Sequence, residues 1–342
     1  MTAAALPQTM RAWRVEELSD AGEMHLREIA VPVPAADQYL VRVEAAGLAF
    51  GDTLLVRGKY QFKPPLPFTP GSEVVGTIVQ GEGGPLVTDA GGMLAGGTRI
   101  ASSCRQGGFA EYALVPRSEA AALAADIPAG AALALRSNYP TTLYALRQGA
   151  RLQAGETLLV HAGAGGVGGA AVQLGKLMGA RVIATAGGPH KVQACLDTGA
   201  DAALDYRAGD WVAAVKQLAP GGVDVVYDPV GGEIGAQSLR CLAFGARYLV
   251  IGFAGGTLTQ LPANRLLLHN ASAVGVLWGE VRKRDLALAA QLTREVYAWY
   301  GEGRLAPQMG PEYGFENARE ALAALEGRAT VGKVALRIRA AS

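Results

Sequence analysis

A glycine-rich turn at residues 163–168 carries the strongest chemical signal in the chain. It reads Gly-Ala-Gly-Gly-Val-Gly and lies between an apolar run at 157–160 and a helix-like stretch at 167–178. Glycines at a strand-to-helix turn let the backbone approach a dinucleotide pyrophosphate, and the helix start presents N–H groups to that anion. The pattern predicts that the pyrophosphate is bound by Gly163, Gly165, Gly166, Val167 and Gly168.

The end of the next predicted strand, residues 181–186, indicates which dinucleotide binds. Enzymes that use NAD carry an Asp or Glu about twenty residues beyond the glycines, where it binds a ribose hydroxyl. Here no acid follows the strand; Gly187 comes next, and Lys191 lies at the start of a predicted helix. A carboxylate repels a 2′-phosphate, whereas a small residue and an ammonium group accommodate one. We therefore predict NADPH as the cofactor, with Gly187 and Lys191 near its 2′-phosphate.

The composition argues against several classes of partner. The 342 residues include 31 basic and 30 acidic side chains, a net charge of +1, and no basic block that favours nucleic acid. No apolar run approaches the roughly 20 residues that span a bilayer. The three cysteines are scattered, which is typical of a reducing compartment. We predict a cytoplasmic protein that contacts neither nucleic acid nor membrane.

The order of the predicted elements indicates two domains. Up to residue 125, short strands alternate with turn-rich segments, which is typical of a β-rich domain. From residue 126, strands alternate with helices, which predicts a doubly wound parallel sheet of the Rossmann type. The predicted elements include helices at 190–198 and 233–242 and a strand at 272–277. Two amphipathic helices and a closing strand then complete the first domain. The predicted domains are residues 1–125 with 285–342, and residues 126–284.

Motifs along most of the chain resemble those of one family, the zinc-free quinone oxidoreductases, which are the zeta-crystallin-like branch of the medium-chain dehydrogenase/reductase superfamily. The resemblance implies an α/β fold in which the Rossmann domain is inserted into a GroES-like, β-rich catalytic domain, with NADPH in the cleft between them. The matching motifs are Gly51-Asp52-Thr53, Arg57-Gly58-Lys59-Tyr60, residues 65–76, Gly108-Phe109-Ala110-Glu111-Tyr112, residues 162–168, Ala171-Val172-Gln173-Leu174, Gly199-Ala200-Asp201, residues 225–232 and residues 327–333.

The resemblance implies catalytic roles for three residues. Asp52 and Tyr60 match family positions that face the nicotinamide and the acceptor, and Tyr139 matches a position that lines the cleft. Each residue also has a structural interpretation. Asp52 is suited to cap a helix, Tyr60 precedes a proline-rich segment on which it could pack, and Tyr139 could cap a helix.

Five further residues are predicted to contact the cofactor. Thr142, Tyr206 and Arg328 match family positions at the cofactor. Phe253 and Leu277 follow predicted strands at the carboxyl ends, where open α/β sheets bind ligands. The alternatives are a helix cap for Thr142, strand-end packing for Tyr206, a surface position for Arg328, and core positions for Phe253 and Leu277.

The sequence lacks a set of ligands for a catalytic metal. Zinc-dependent relatives have Gly-His-Glu where this chain has Gly71-Ser72-Glu73, and the four histidines lie far apart, none at ligand spacing from a cysteine. Alcohol oxidation without a metal that stabilises an alkoxide is disfavoured. We predict no metal, and an NADPH:quinone oxidoreductase-like enzyme that transfers hydride to a small-molecule acceptor, a quinone or an α,β-unsaturated carbonyl compound.

Two other functions stay open. An enoyl-thioester reductase would use the same hydride donor with a larger acyl carrier. A non-catalytic, NADPH-binding regulatory protein that contacts RNA, as some zeta-crystallin-like proteins do, is the other, although the small net charge argues against RNA. The apolar strands of residues 245–277 predict a sheet edge that needs cover, and hence a homodimer.

Overall fold

Two units divide the chain, and each contains a different kind of sheet. The computed structural model describes residues 6–60, 62–81 and 94–339. The first unit contains Met1–Ser137 and Met309–Ser342, and the second unit contains Asn138–Gln308. Within the described ranges, no helix is long and apolar enough to cross a membrane.

The amino-terminal part of the first unit consists mainly of short strands joined by turns. Its longest strand is buried at most positions and alternates buried and half-buried residues only over 41–45, as expected where the two faces of a strand differ in exposure. The elements in chain order are β1 (Thr9–Arg14), β2 (His25–Ala30), β3 (Gln38–Leu48), α1 (Phe50–Leu55), β4 (Glu73–Gln80), β5 (Arg99–Ser103), β6 (Tyr112–Pro116), β7 (Ala120–Ala122) and α2 (Ala129–Tyr144), which continues into the second unit.

The second unit alternates strands and helices, as predicted. Its elements are β8 (Thr157–Val160), α3 (Gly166–Leu177), β9 (Arg181–Ala186), α4 (Pro189–Asp197), β10 (Ala202–Asp205), α5 (Trp211–Leu218), β11 (Val223–Asp228), α6 (Gly232–Ser238), β12 (Leu242–Val250), α7 (Ala263–His269), β13 (Ser272–Gly275), α8 (Trp278–Arg284) and α9 (Leu286–Gly301). The strands are parallel in the order β10-β9-β8-β11-β12-β13. This is the order of dinucleotide-binding sheets, and its direction reverses between β8 and β11.

The carboxyl-terminal segment returns to the first unit with β14 (Met309–Gly314), α10 (Ala318–Glu326) and β15 (Lys333–Arg337). Strand β15 pairs antiparallel with β3, with Ala335 opposite Gly47. The resulting sheet has the order β14-β15-β3-β4-β5-β7, and β6 also pairs with β3. The predicted fold class is confirmed: a doubly wound parallel sheet accompanies a separate, β-rich unit.

The units divide at different residues from the predicted domain boundaries. The prediction assigned residues 285–308 to the first domain, but helix α9 belongs to the second unit. There Arg147 donates to Glu295 over 2.7 Å, and its guanidinium carbon lies 5.7 Å from the ring centroid of Trp299. Hydrophobic periodicity identifies α9 as a helix, but it does not say against which unit the apolar face packs.

Two predicted elements of the second unit end early. The helix predicted over residues 233–242 ends at Ser238, because the chain turns and enters β12 at Leu242. The strand predicted over residues 272–277 ends at Gly275, and Leu277 becomes the residue before α8. Apolar residues on both sides of these ends made the sequence pattern continuous across a change of structure.

Candidate functional site

The glycine turn follows β8, at the point where the strand order of the second unit reverses. A Cβ atom at position 168 would lie 2.0 Å from the carbonyl oxygen of Ala162, and one at position 163 would lie 2.9 Å from Sγ of Cys195. Ala162 itself has a left-handed φ of 50°, which is uncommon for a residue other than glycine. The turn is therefore closed so tightly that residues 163 and 168 have no room for side chains.

Helix α3 begins inside this turn and presents its amino terminus there. Gly165 precedes the helix and offers no side-chain cap, so Gly166, Val167 and Gly168 begin the helix with N–H groups that lack intrahelical acceptors. A Cβ atom at position 166 would lie 2.5 Å from Nδ2 of Asn138. The structure thus brings all five predicted pyrophosphate residues together at a helix amino terminus, which is suited to bind an anion.

The ends of β9 and β10 bring together the residues predicted near the 2′-phosphate. A Cβ atom at position 187 would lie 2.6 Å from Oη of Tyr206 and 2.9 Å from Nε of Arg207. Lys191 lies in the first turn of α4, just beyond Gly187. Arg207 was not predicted from the sequence, because it lies in a turn without a motif. Its guanidinium is a five-donor, always charged group of the kind that binds phosphate.

An acidic side chain also lies in this region, but the backbone engages it. Asp205, the last residue of β10, accepts the backbone N–H of Arg207 over 2.9 Å. Backbone hydrogen bonds from Arg207 and Gly188 lower the pKa of Asp205 below its ordinary value. Asp205 therefore shapes the turn that carries Tyr206 and Arg207.

Tyr139 and Thr142 lie inside helix α2, so neither caps that helix. The buried hydroxyl of Tyr139 donates to Oε1 of Gln173 over 2.9 Å, and burial raises the pKa of Tyr139. The fully buried hydroxyl of Thr142 donates to the carbonyl oxygen of Asn138 and lies 2.8 Å from Oη of Tyr227. Both side chains therefore connect α2 to other elements of the second unit, and their predicted contacts with acceptor and cofactor stay predictions.

His161 is a buried residue that sequence reasoning considered only as a possible metal ligand. Its Nδ1 lies 2.8 Å from Oγ1 of Thr185, and its Nε2 lies 2.6 Å from Oγ of Ser238. Because the single proton of Ser238 is donated to the carbonyl oxygen of Ile234, Nε2 carries a proton and Nδ1 accepts one from Thr185. His161 thus joins β9 and α6 directly beneath the glycine turn as a neutral imidazole.

Phe253 and Leu277 lie at the carboxyl ends of β12 and β13, and both are exposed. A Cβ atom at position 231 would lie 2.8 Å from Cδ1 of Phe253. Asp228 holds the neighbouring turn by accepting the backbone N–H groups of Val230 and Gly231. The exposure of Phe253 and Leu277 disagrees with the alternative that they are core residues, and leaves them available to a ligand of the second unit.

Asp52 and Tyr60 come together in the first unit, around helix α1. Oδ2 of Asp52 accepts the backbone N–H of Ala49 over 2.8 Å, and the carboxylate also accepts the backbone N–H of Gly71. A Cβ atom at position 51 would lie 3.2 Å from Cε2 of the half-buried Tyr60. Burial and the charge of Asp52 both raise the pKa of Tyr60. Asp52 is thus the third residue of α1 and not the residue that precedes the helix, as the capping interpretation expected; its buried carboxyl group instead bonds back to the backbone of Ala49.

A second group of charges lies beside Asp52 and was not predicted. Nζ of Lys333 donates to Oε2 of Glu73 over 2.5 Å, and both side chains are buried. The two residues are 260 positions apart in the chain, so no local sequence pattern could have joined them.

Arg328 is the one predicted cofactor residue that belongs to the first unit. It is exposed, lies two residues beyond the end of α10, and has a left-handed φ of 52°. The other predicted cofactor residues belong to the second unit, so a contact of Arg328 with the cofactor stays a prediction.

In the part of the chain that the structure describes, the donor atoms do not fit a zinc ion. Among the residues that the structure describes, no group of three or more His, Cys, Asp or Glu side chains could hold a metal. Ser72 stands where zinc-dependent relatives have a histidine, and the adjacent Glu73 carboxylate is paired with the ammonium of Lys333. An ammonium group at that carboxylate disfavours a cation there.

Two known sequence families match the chain, one in each unit. Residues 35–125 match the alcohol dehydrogenase GroES-like domain, and residues 166–294 match a family described as zinc-binding dehydrogenase. The first match covers strands β3 to β7 of the first unit, and the second covers α3 and strands β9 to β13 of the second unit.

Several known proteins are similar over most of their length. Quinone oxidoreductase-like protein 2 of Bos taurus is 35% identical over 301 residues, which cover 87% of this chain and 84% of that protein. Quinone oxidoreductase of Homo sapiens is 32% identical over 336 residues, or 96% of this chain and 97% of that protein. The quinone oxidoreductase of Thermus thermophilus, whose crystal structures include a complex with NADPH, superposes with a TM-score of 0.83 at 32% identity, covering 96% of this chain and 100% of that chain.

Proposed function

Because the chain belongs to the quinone oxidoreductase branch of the medium-chain dehydrogenase/reductase superfamily, we propose that it is an NADPH-dependent oxidoreductase that reduces quinones or α,β-unsaturated carbonyl compounds without zinc. The family predicted from the motifs is confirmed by these relatives. The acceptor class and the independence from zinc are our proposals.

The main support for the proposal is the arrangement of residues at the carboxyl end of the parallel sheet. The glycine turn supplies a helix amino terminus for a pyrophosphate, and Gly187, Tyr206 and Arg207 lie together where the adenosine ribose is expected. Arg207 and Lys191 would hold the 2′-phosphate that distinguishes NADPH from NADH. NADPH, when bound, supplies a hydride, and the protein's contribution is to bind, orient and stabilise.

The side chains of the first unit support the proposed class of acceptor. A quinone or an enone delocalises the negative charge that develops when it accepts hydride, so it does not require a metal ion. Asp52 and Tyr60 are the groups that we propose on the acceptor side, because they lie together and Asp52 is a buried carboxyl group. Tyr139 is proposed to act indirectly, by holding α2 to Gln173 of α3.

Fluorescence titration with NADPH and with NADH tests the cofactor. We expect saturable binding of NADPH, by quenching of tryptophan emission or by enhanced nicotinamide emission, and much weaker binding of NADH. Equal affinity for the two nucleotides would contradict the assignment of Lys191 and Arg207 to a 2′-phosphate site.

A panel of acceptors in the presence and absence of a chelator tests the reaction. We expect NADPH oxidation with 1,2- or 1,4-quinones or with an enone, at a rate that the chelator does not change. Turnover confined to enoyl thioesters would instead indicate an enoyl-thioester reductase. Tight NADPH binding without turnover on any acceptor would favour the regulatory function.

We further propose that the chain acts as a homodimer in the cytoplasm and takes neither nucleic acid nor membrane as a partner. Support for the dimer comes from the second unit, where β13 is an edge strand of the sheet among the residues described. Leu267 and Leu268 of the nearby helix α7 are strongly exposed. Exposed apolar side chains next to the unpaired edge of a strand are typical of a surface that another chain covers.

A further inference from the structure

Three charged side chains are buried together in the first unit. Asp52 is 3% exposed, Glu73 is 6% exposed and Lys333 is 3% exposed. Removing charges from water is costly, and a buried ion pair is weak evidence for stability. A buried group of charges beside a proposed reaction site is therefore a candidate for a functional role.

The fold brings these residues from three distant segments to one place. Asp52 lies in α1 directly after β3, Glu73 begins β4, and Lys333 begins β15. Strands β4 and β15 flank β3 on opposite sides, where Gly47 faces Glu73 on one side and Ala335 on the other. A Cβ atom at Gly47 would lie 2.6 Å from Oε2 of Glu73 and 3.0 Å from Nζ of Lys333. The absence of a side chain at Gly47 therefore lets the ion pair cross over β3.

The charges of the group do not balance when all three side chains are ionised. Lys333 is bonded to Glu73 over 2.5 Å, so its single positive charge already faces one carboxylate. Asp52 is left with the backbone N–H groups of Ala49 and Gly71. Protonation of Asp52 makes the buried group electrically neutral.

The electrostatic surroundings of Asp52 also favour its protonated form. The pKa of Asp52 is raised to about 7, chiefly by burial and further by the charge of Glu73, although the two backbone N–H groups and Lys333 act to lower it. Nearby, the phenol of Tyr60 has a raised pKa and is neutral near pH 7, and Sγ of Cys104 lies 3.5 Å from the carbonyl oxygen of Gly71. Helix α10 contributes apolar residues to the buried side and pairs its Glu326 with Arg57 at the surface.

We propose that Asp52, Glu73 and Lys333 act as one buried proton-holding group, from which Asp52 delivers the proton that the acceptor takes up together with the hydride. Asp52 is the catalytic residue of this group, and Glu73 and Lys333 are positioning residues that determine whether Asp52 carries a proton. The delivery step rests on the proposed function, whereas the protonation of Asp52 does not.

The step balances in atoms and charge. Reduction of a quinone or an enone adds a hydride, supplied by the reduced nicotinamide, and one proton. The O–H bond of the Asp52 carboxylic acid breaks, and a new O–H bond forms at the reduced quinone, or a new C–H or O–H bond at the reduced enone. Asp52 is left as a carboxylate that faces Lys333, and it takes up a proton from water before the next turnover.

Infrared spectroscopy of the full chain at a series of pH values tests the protonation directly. We expect the C=O band of a protonated carboxylic acid to persist at neutral pH and to be absent in Asp52→Asn. Glu73→Gln leaves Lys333 without its partner, so the Asp52 band should disappear about one to three pH units lower, the shift typical of one nearby opposite charge. Lys333→Met should move the titration in the opposite direction.

Two further variants control for misfolding and for nonspecific effects. Glu73→Gln with Lys333→Met removes both charges and should titrate between the two single variants, so the direction of the shifts is testable even where Lys333→Met alone does not fold. Glu119→Gln breaks the Glu119–Arg136 ion pair of the same unit and should leave the Asp52 band unchanged. An Asp52 band that is missing at neutral pH in the wild-type chain, or unmoved in Glu73→Gln, would overturn the proposal.

Single-turnover kinetics tests the delivery of the proton. Asp52→Asn should slow hydride transfer to the acceptor at least about 100-fold, the usual contribution of a general acid, without changing NADPH affinity. The pH at which the rate falls should move with the infrared titration in Glu73→Gln. A rate that Asp52→Asn leaves unchanged would overturn the delivery step. If the wild-type chain reduces no acceptor, the proposed function fails, and the infrared titration still decides the protonation.

Discussion

Arg207 is a single side chain whose part in cofactor choice can be measured. Its guanidinium lies against the backbone of Gly187, where the 2′-phosphate is expected. A hydrogen bond to a charged group contributes about 1.5–3 kcal/mol, which corresponds to roughly ten- to hundredfold in affinity. We expect Arg207→Ala to weaken NADPH binding by that factor in a fluorescence titration and to leave NADH binding unchanged.

Arg240→Ala is the matched control for Arg207→Ala. Arg240 is also an exposed arginine of the second unit, but it precedes β12 and so lies at the opposite end of the parallel sheet. Its removal should change the affinity for neither nucleotide. Equal losses of NADPH affinity in both variants would show that net charge, rather than a contact of Arg207, attracts the cofactor.

His161 predicts a pH dependence of stability. Burial lowers the pKa of His161 below its value in the unfolded chain, about 6.5. The unfolded chain therefore binds more protons below that pH, and this residue's contribution to stability is complete above pH ~6.5 and is lost as the pH falls. The free energy of unfolding should fall by at most about 1.4 kcal/mol per pH unit from this group.

Denaturant unfolding at several pH values measures this contribution. His161→Gln should not show the part of the acid-dependent decrease in the free energy of unfolding that is due to His161. We expect the variant to be less stable at neutral pH, because it disturbs the hydrogen bonds to Thr185 and Ser238. His190→Gln changes an exposed histidine and should retain the wild-type pH dependence. An unchanged pH dependence in His161→Gln would contradict a buried neutral imidazole.

The residues that the sequence could identify are those whose role depends on local spacing. The glycine turn is one: residues 163–168 are contiguous, and the backbone approach that they permit is a local property. Lys333 and Glu73 illustrate the opposite case, because their pairing depends on β3 lying between β4 and β15. Arg207 was missed because a single arginine in a turn has no distinguishing pattern.

At the scale of the element, helix α3 and its turn allow two neighbouring glycines to be compared. A Cβ atom at position 168 would lie 2.0 Å from the carbonyl oxygen of Ala162, a backbone atom, so Gly168→Ala must displace the turn. We expect this variant to lose NADPH affinity by at least about tenfold, or about 1.4 kcal/mol, and to melt at a lower temperature.

Gly169→Ala provides the contrast within the same helix. The nearest atoms to a Cβ at position 169 lie 3.6 Å away, an ordinary van der Waals contact. Alanine also loses less backbone entropy than glycine in a helix, so stability should rise by about 0.5–1 kcal/mol while NADPH affinity is retained. A similar loss of binding in both variants would show that helix flexibility, and not the close approach at Gly168, matters for the cofactor.

Whether an element could be predicted from the sequence depended on which of its faces are buried. Strand β9 was predicted at its observed bounds and α4 within one residue, because apolar runs there alternate with turn residues. Helix α2 was not predicted, since it is buried on almost every side and its apolar positions show no helical period. Short exposed helices such as α7, which buries no residue, also lack the pattern.

At the scale of the whole molecule, the sequence predicted the order of the two kinds of structure but not the points at which the chain passes between them. Helix α2 begins in the first unit and ends in the second. Helix α9 is amphipathic and was identified, yet the partner of its apolar face is set by tertiary contacts such as Arg147 with Glu295. The first boundary lies inside helix α2, where no turn-rich linker is present to indicate it.

The predicted homodimer can be tested through the exposed apolar side chains of α7. Leu267 is 80% exposed and Leu268 is 70% exposed, beside the edge of a sheet that ends in β13. We expect light scattering at micromolar concentration to give twice the chain mass of 35.3 kDa for the wild type. Leu267→Glu with Leu268→Glu should give a monomer that still binds NADPH, because two carboxylates cannot be buried unpaired in an interface. Val33→Glu, at an equally exposed apolar residue of the first unit, should remain dimeric. A monomeric wild type would contradict the dimer, and a dimer that persists in the double variant would place its interface away from α7.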